Sequence, residues 1–176
     1  MIYKIKILLA TIVFVSISSS QTNVSGPLSS DTSWGIDGSP YTLTGNVAIM
    51  DGITLTIEPG VQVLFSGENN LQVLSGGELK ADGSLNDSIY FLGLSDNSSG
   101  GIIFERFSIG SIMENDTVFV SGSFFDHCVF SNFQGSAIYT QSTLLIANSV
   151  IKNNVSLLGA IHARNSGLIS ISNSFY

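Results

Sequence analysis

The 176-residue chain has few cationic side chains and a single cysteine. Its 6 Lys and Arg residues face 13 Asp and Glu residues. Because phosphate backbones are recognised mainly by Lys and Arg, this balance argues against nucleic acid as a partner. The lone cysteine, Cys128, cannot close an internal disulfide. Its neighbours are not basic apart from His127, which predicts a buried thiol rather than a reactive one.

Helical periodicity is also missing after the first twenty residues. No window of a dozen residues there carries an apolar stripe at helical spacing. Short runs rich in Val, Ile, Leu, Phe and Thr alternate apolar and polar side chains, with Gly, Asn, Asp and Ser between the runs. This pattern is typical of strands and turns, and it disfavours leucine-rich and other helix-containing repeats.

Residues 1–20 have the pattern of a targeting segment. Two lysines precede the apolar run Ile7–Val15, and small residues stand before Gln21. A membrane-spanning helix needs about 20 apolar residues, and this run is too short. We therefore predict a secretory signal peptide over residues 1–20 and an extracellular or outer-surface location. Without this segment, 4 cationic residues face 13 acidic ones, a formal charge of 4 − 13 = −9.

An internal repeat of about 24 residues indicates the fold class. The segments Val47–Leu55 and Leu71–Leu79 share an apolar alternation, the Gly of a turn and a second apolar run. Further on, Leu144–Ile151 matches Leu168–Tyr176 with one inserted residue. A coil of about 22 to 25 residues built only from strands is one rung of a parallel β-helix.

The repeat predicts an all-β, single-stranded, right-handed parallel β-helix over residues 41–176. Right-handedness follows from the strong bias of parallel crossover connections. Residues 21–40 are expected to form an N-terminal leader and cap, in which Trp34 covers the first rung. The sequence stops in mid-repeat, which predicts a β-helix that is incomplete at its C-terminal end.

An uncapped last rung exposes apolar side chains and a strand edge, and such edges promote further pairing. We therefore expect self-association through this rung. Its apolar residues are Leu168, Ile169, Ile171, Phe175 and Tyr176.

The first half of the repeat region resembles the opening of secreted bacterial right-handed parallel β-helix proteins. The resemblance is carried by Thr42–Phe65, Leu79–Ser84, Ile89–Phe91 and Gly100–Phe104. It identifies a fold shared by many surface proteins and implies no particular activity.

The second half is similar to the repeats of polymorphic outer-membrane adhesins, which pair Phe-x-x-Asn with Gly-Gly-Ala-Ile. Three passages match. Val129–Tyr139 contains Gly-Ser-Ala-Ile, Val150–Asn154 contains Ile-x-x-Asn, and Leu158–His162 contains Leu-Gly-Ala-Ile. The resemblance implies an adhesin-like binding or structural module. Its expected partners are an extracellular polysaccharide, a host surface or a neighbouring cell.

Parallel β-helix enzymes that cleave polysaccharides provide the alternative reading. A hydrolase needs two carboxylates facing one groove, and a lyase needs a calcium-binding carboxylate cluster with a basic group. Polygalacturonases, one group of such enzymes, carry the signatures Asn-Thr-Asp, Asp-Asp, Gly-His-Gly and Arg-Ile-Lys. All four are absent from this sequence. We predict no catalytic residue here. A lyase or glycoside hydrolase would take its catalytic residues largely from beyond this segment, or from the loops at 82–101 and 110–126.

One loop region carries carboxylates close together in sequence, at Asp82, Asp87 and Asp96. Turn formation explains them, because Asp and Asn side chains bond to their own backbone at bends. Calcium binding is the alternative for these three residues. No other cofactor or metal is predicted.

Two columns of aligned residues are predicted to face outward and to form a ligand-binding strip. Aromatic faces and hydrogen-bonding side chains suit sugars or acidic polymers, and a plain solvent-facing surface is the alternative. Phe104 has a second alternative, since both faces of its strand are apolar. The first column holds Phe104, Tyr139 and His162, and the second holds Arg106, Gln141 and Arg164.

A third column is predicted to have a structural role. His127, Asn148 and Asn173 align where the chain bends between strands. Asn and His are among the residues that most readily accept left-handed backbone angles. We expect a ladder of stacked side chains along this bend.

Overall fold

The computed structural model describes residues 21–94, 98–115, 118–164, 168–171 and 173–175. The predicted signal peptide, Asp96 and Tyr176 lie outside the described residues. Strands dominate this part of the chain, with one short 3-10 turn at Ile36–Gly38 and no α-helix among its elements. Accordingly, nothing in it is a helix with the length and hydropathy needed to cross a bilayer.

The strands form two parallel sheets and one separate hairpin. The larger sheet contains β1 (Thr22–Leu28), β3 (Tyr41–Ile49), β5 (Gln62–Phe65), β6 (Leu71–Val73), β8 (Ile89–Gly93), β9 (Ile102–Phe104), β13 (Cys128–Ser131), β14 (Ile138–Thr140), β16 (Val150–Lys152), β17 (Ile161–Ala163) and β19 (Ser174–Phe175). The smaller sheet contains β2 (Thr32–Trp34), β4 (Thr54–Ile57), β7 (Glu78–Asp82), β12 (Phe124–Asp126), β15 (Leu144–Ala147) and β18 (Leu168–Ile171). The antiparallel hairpin consists of β10 (Ile112–Glu114) and β11 (Val118–Ser121).

The long strand β3 divides the larger sheet into two arms. Its first part, Tyr41–Leu43, pairs with β5, and its last part, Val47–Ile49, pairs with β6. One arm continues through β8, β13, β16 and β19, and the other through β9, β14 and β17. Consecutive strands such as β5, β6 and β7 therefore enter different arms or sheets. This curled, parallel, all-β arrangement is compatible with a solenoid.

The strand register confirms the 24-residue repeat. Val47 pairs with Leu71 (71 − 47 = 24), and Leu144 pairs with Leu168 (168 − 144 = 24). The offset is larger in the middle of the chain, where Ile102 pairs with Ile138 (138 − 102 = 36). Extra residues between β9 and β12, including the hairpin, account for this longer interval.

Two glycines flank the hairpin: Gly110 precedes β10, and Gly122 follows β11. Gly122 has a φ of +99° and lies against the Gly110 carbonyl, where a side chain would collide with the backbone. Within the hairpin, Phe119 contacts Phe124 of β12, with ring centroids 4.8 Å apart. The hairpin therefore packs on the outer side of the smaller sheet.

The core lies between the two sheets and consists of the inward residues of the alternating strands. Phe91 of β8 stacks on Phe130 of β13, with ring centroids 5.0 Å apart. Phe125, from the smaller sheet, meets both rings edge-on at 5.5 and 5.1 Å. Full burial of each such side chain stabilises the fold by about 1.5–3 kcal/mol. This cluster therefore contributes strongly to the packing of the two sheets against each other.

The parallel strands begin before the predicted start at Tyr41. Strand β1 pairs with β3, and β2 pairs with β4, both in parallel. Trp34 of β2 is buried and stacks on Tyr41, with ring centroids 4.8 Å apart. The segment expected to be a leader and cap thus contributes strands to both sheets.

The bend column is partly as predicted and partly displaced. His127 and Asn148 have left-handed φ values of 48° and 47°. Asn173 does not align with Asn148, because Val150 pairs with Ser174, an offset of 24 rather than 25 residues. Asn173 instead follows Ser149 in the column and accepts a hydrogen bond from its backbone N at 2.7 Å.

Candidate functional site

The predicted ligand strip lies on the arm formed by β9, β14 and β17. Tyr139 of β14 is paired with His162 of β17, and their rings meet edge-on with centroids 5.2 Å apart. Both side chains are half-buried on the outer side, since the flanking Ile138 and Thr140 face inward and are fully buried. Two members of the strip are therefore neighbours in space.

Phe104 is not part of this outward strip. It pairs with Thr140 rather than with Tyr139, and it is fully buried. Its ring contacts Phe125 edge-on at a centroid distance of 6.0 Å. The outward position belongs to Ile103, because the interval between β9 and β14 is one residue longer than the predicted alignment assumes. Phe104 therefore points inward, which is the second orientation that the sequence allowed.

The same one-residue displacement moves Arg106 out of the second column. The backbone N of Gln141 donates to the Phe104 carbonyl, and that of Arg164 donates to the Thr140 carbonyl, both bonds continuing the ladders of the arm. Glu105 is therefore the register neighbour of Gln141 on one side, and Arg164 is its register neighbour on the other. Arg106 lies one residue further, in the turn after β9.

Arg106 and Gln141 nevertheless line one open groove of about 370 Å³. Its volume falls within the range of small-molecule sites, which is roughly 300–1,000 Å³. We call it the Arg106 groove. Its lining residues are Arg106, Phe107, Ser108, Gly110, Ser111, Gln141, Ser142 and Thr143.

Phe107 is the most unusual residue of the groove. Its ring is 71% exposed although it is a large apolar side chain. Its φ of 66° lies in the left-handed region, where a bulky side chain is strained at a cost of about 1–3 kcal/mol. The Arg106 guanidinium carbon lies 4.9 Å from the ring centroid, a cation–π geometry. The guanidinium thus lies over one face of the exposed ring.

Serine hydroxyls form the floor of the groove and hold its two sides together. Ser108 Oγ donates to Ser142 Oγ at 2.9 Å, and Ser142 Oγ lies 3.1 Å from the Ser108 carbonyl oxygen. Ser111 Oγ accepts a hydrogen bond from the backbone N of Leu145 at 2.7 Å. These bonds join the segment between β9 and β10 to Ser142, which lies between β14 and β15, and to β15 itself. The groove is therefore preorganised.

The groove is lined by hydrogen-bonding side chains and one aromatic ring. None of its described lining residues is a carboxylate, whereas hydrolysis of a glycosidic bond needs two. Arg106 offers five N–H donors in a planar fork, and Gln141 offers both donors and an acceptor. Such a set can hold hydroxyl or acidic groups beside an aromatic face.

Of the three predicted calcium residues, the structure describes Asp82 and Asp87. Groups of three or more potential metal-ligating side chains are absent from the part of the chain that the structure describes. The backbone N of Asp87 donates to Ser84 Oγ at 3.1 Å, and its carbonyl accepts from Gly60, so it has a turn role. Asp82 pairs in register with Asp126 of the next strand. Calcium binding here stays a prediction.

Cys128 is buried, as its sequence surroundings predict. Burial raises the pKa of its thiol well above the usual value, and the charge of Asp126 adds to this effect. Asp126 also lies 3.1 Å from His127 Nδ1 and accepts a hydrogen bond from Asn148 Nδ2 at 2.8 Å. The thiol is therefore neutral at physiological pH and unsuited to nucleophilic chemistry.

Sequence reasoning missed Phe107 and the serines of the floor. The available signal was the break in alternation after Phe104, where a polar turn contains one aromatic residue. No protein-family model, curated protein or solved structure matches this chain. The chemistry of the groove itself therefore carries the functional assignment.

Proposed function

We propose that this chain is a secreted or cell-surface module that binds polysaccharide through the Arg106 groove. In this proposal the parallel sheets form a single-stranded, right-handed β-helix, in line with the bias of parallel crossovers. The adhesin-like repeat resemblance supports a surface role, with a host or neighbouring cell as the source of the glycan.

One observation carries the binding proposal: the exposed, strained position of Phe107. A large apolar ring in water contributes little to folding, and left-handed strain at this residue opposes folding. Such outliers cluster at binding and catalytic sites. A sugar ring can place its C–H face on Phe107 while its hydroxyl groups bond to Arg106 and Gln141.

The proposal predicts that Phe107→Asn weakens glycan binding. Asn tolerates the left-handed backbone, so the change removes the aromatic face and leaves the turn in place. We expect the dissociation constant to rise at least tenfold, equivalent to about 1.4 kcal/mol. Isothermal titration calorimetry against a panel of acidic and neutral polysaccharides measures it.

Tyr90→Ala is the matched control, because Tyr90 is an exposed aromatic residue on β8, in the other arm. It should leave binding unchanged. Equal loss in both variants, or no binding of any glycan by the unmodified chain, contradicts the proposal. Release of unsaturated or reducing ends during incubation, with or without calcium, would instead identify the lyase or hydrolase alternative.

A further inference from the structure

Carboxylates and cations are separated along this chain. All 13 acidic residues lie between Asp31 and Asp126, and none follows. The two cationic residues after that point are Lys152 and Arg164. Because successive rungs stack in chain order, the rungs from β14 onward carry no carboxylate of their own.

The arginines near the groove have no acidic partner in the described part of the chain. The close contacts between basic and acidic side chains found there join Lys80 to Glu78 at 3.0 Å and place His127 Nδ1 3.1 Å from an Asp126 carboxylate oxygen. Arg106 and Arg164 are both exposed and take part in neither pair. Their guanidinium groups remain available for an anion, which such a planar fork binds in a bidentate manner.

The two arginines flank Gln141 along the stack. Arg164 follows Gln141 in the next rung, and Arg106 adjoins Glu105 in the preceding one. Neighbouring strands are about 4.8 Å apart, so the two rungs are separated by roughly 10 Å. A polysaccharide lying along this line can present one acidic group to each arginine and a hydroxyl to Gln141.

We infer that the ligand of the Arg106 groove is an anionic polysaccharide, bound along the stack with its carboxylate or sulfate groups at Arg106 and Arg164. This inference rests on the proposed glycan-binding function and specifies its ligand class. Neutral glycans offer hydroxyl groups but no opposite charge to the arginines, and so bind less tightly.

The negative charge of the rest of the protein does not prevent this binding. At physiological salt the Debye length is about 8 Å, and charges further apart than this are largely screened. The carboxylates of the first rungs lie several strand spacings from Arg164. Glu105 is the chain neighbour of Arg106, whereas no carboxylate follows Asp126, so the Arg164 end provides the stronger attraction.

The test compares three probes with the full chain: polygalacturonate, dextran sulfate and neutral dextran. We expect either polyanion to bind at least tenfold more tightly than dextran. The double variant Arg106→Gln/Arg164→Gln should lose at least tenfold in affinity for that polyanion and show a weaker salt dependence. Its affinity for dextran should fall by a smaller factor, because dextran loses only a hydroxyl contact at Arg106 and has no acidic group to pair with either arginine.

Lys152→Gln is the matched control, because it removes one cation from the same carboxylate-free region but on β16, in the other arm. It should change polyanion affinity less than twofold. Equal loss in this control, or equal affinity of the unmodified chain for dextran and both polyanions, overturns the anionic-ligand inference while the groove remains a glycan site. Failure of all three probes to bind overturns the proposed function as well. Preference for polygalacturonate or dextran sulfate identifies the acidic group as carboxylate or sulfate.

Discussion

At the residue scale, two phenylalanines three positions apart have opposite roles. Phe104 is fully buried against Phe125, whereas Phe107 is largely exposed and strained. We expect Phe104→Ala to lower the free energy of unfolding by about 3–5 kcal/mol, because it removes a buried ring and leaves a cavity. Phe107→Asn should change it by less than about 1 kcal/mol, since lost contact area and relieved strain offset each other. Urea denaturation of both variants measures the difference, and similar losses would contradict it.

The buried thiol of Cys128 gives stability a specific pH dependence. Its pKa is raised in the folded chain by burial, whereas an unfolded cysteine ionises near pH 8.5. Below about pH 8.5 the thiol is neutral in both states, and its contribution is fully present. Above that pH only the unfolded chain loses the proton, so the free energy of unfolding falls by up to about 1.4 kcal/mol per pH unit.

Cys128→Ala should remove this decline between about pH 8.5 and 9.5. Urea unfolding of the original chain and the variant at pH 7.5, 8.5 and 9.5 measures it. An equal alkaline loss in both proteins would assign the decline to other groups.

At the element scale, the hairpin β10–β11 is an addition to the stack. It joins the molecule through Phe119, which contacts Phe124, and its outer face exposes Ile112, Val118 and Val120. We expect Phe119→Ala to cost about 1–2 kcal/mol, because it removes one aromatic pair and little core volume. Limited proteolysis should then cut first within the hairpin while the sheets resist. Uniform degradation of the whole chain would show that the hairpin is integral to the core.

Insertions between strands decide which residue alignments could be predicted from the sequence. Between β14 and β17 no segment is inserted, and the predicted alignments of Tyr139 with His162 and of Gln141 with Arg164 hold. Across the lengthened interval from β9 to β14 the alignment slipped by one residue. Because side chains alternate between the faces of a strand, this slip exchanged inward and outward positions at Phe104. A repeat pattern alone does not reveal how many residues an insertion adds between two aligned strands.

The all-β, parallel architecture was predictable for a different reason. It depends on period-2 alternation, turn residues and the 24-residue repeat. Each of these signals is carried by many positions along the chain. The Arg106 groove depends on one irregular turn and the left-handed backbone of Phe107, which no periodicity encodes.

At the scale of the whole molecule, each rung of the proposed β-helix buries its apolar side chains on its neighbours, so the proposal implies a stability that is approximately a sum over adjacent rungs. In a stack of equal rungs, each side chain lies above its counterpart in the preceding rung. The extra residues between β9 and β12 interrupt that regularity and border the Arg106 groove.

Among these extra residues, the hairpin strands β10 and β11 pair with each other and with no other described strand, so changes in the hairpin are weakly coupled to the stability of the stack. In evolutionary terms, the protein can acquire a new specificity by lengthening or recoding one turn while the surrounding coil is inherited unchanged. Variation among relatives of this chain should accordingly concentrate between β9 and β12, and the inward columns should keep their apolar residues.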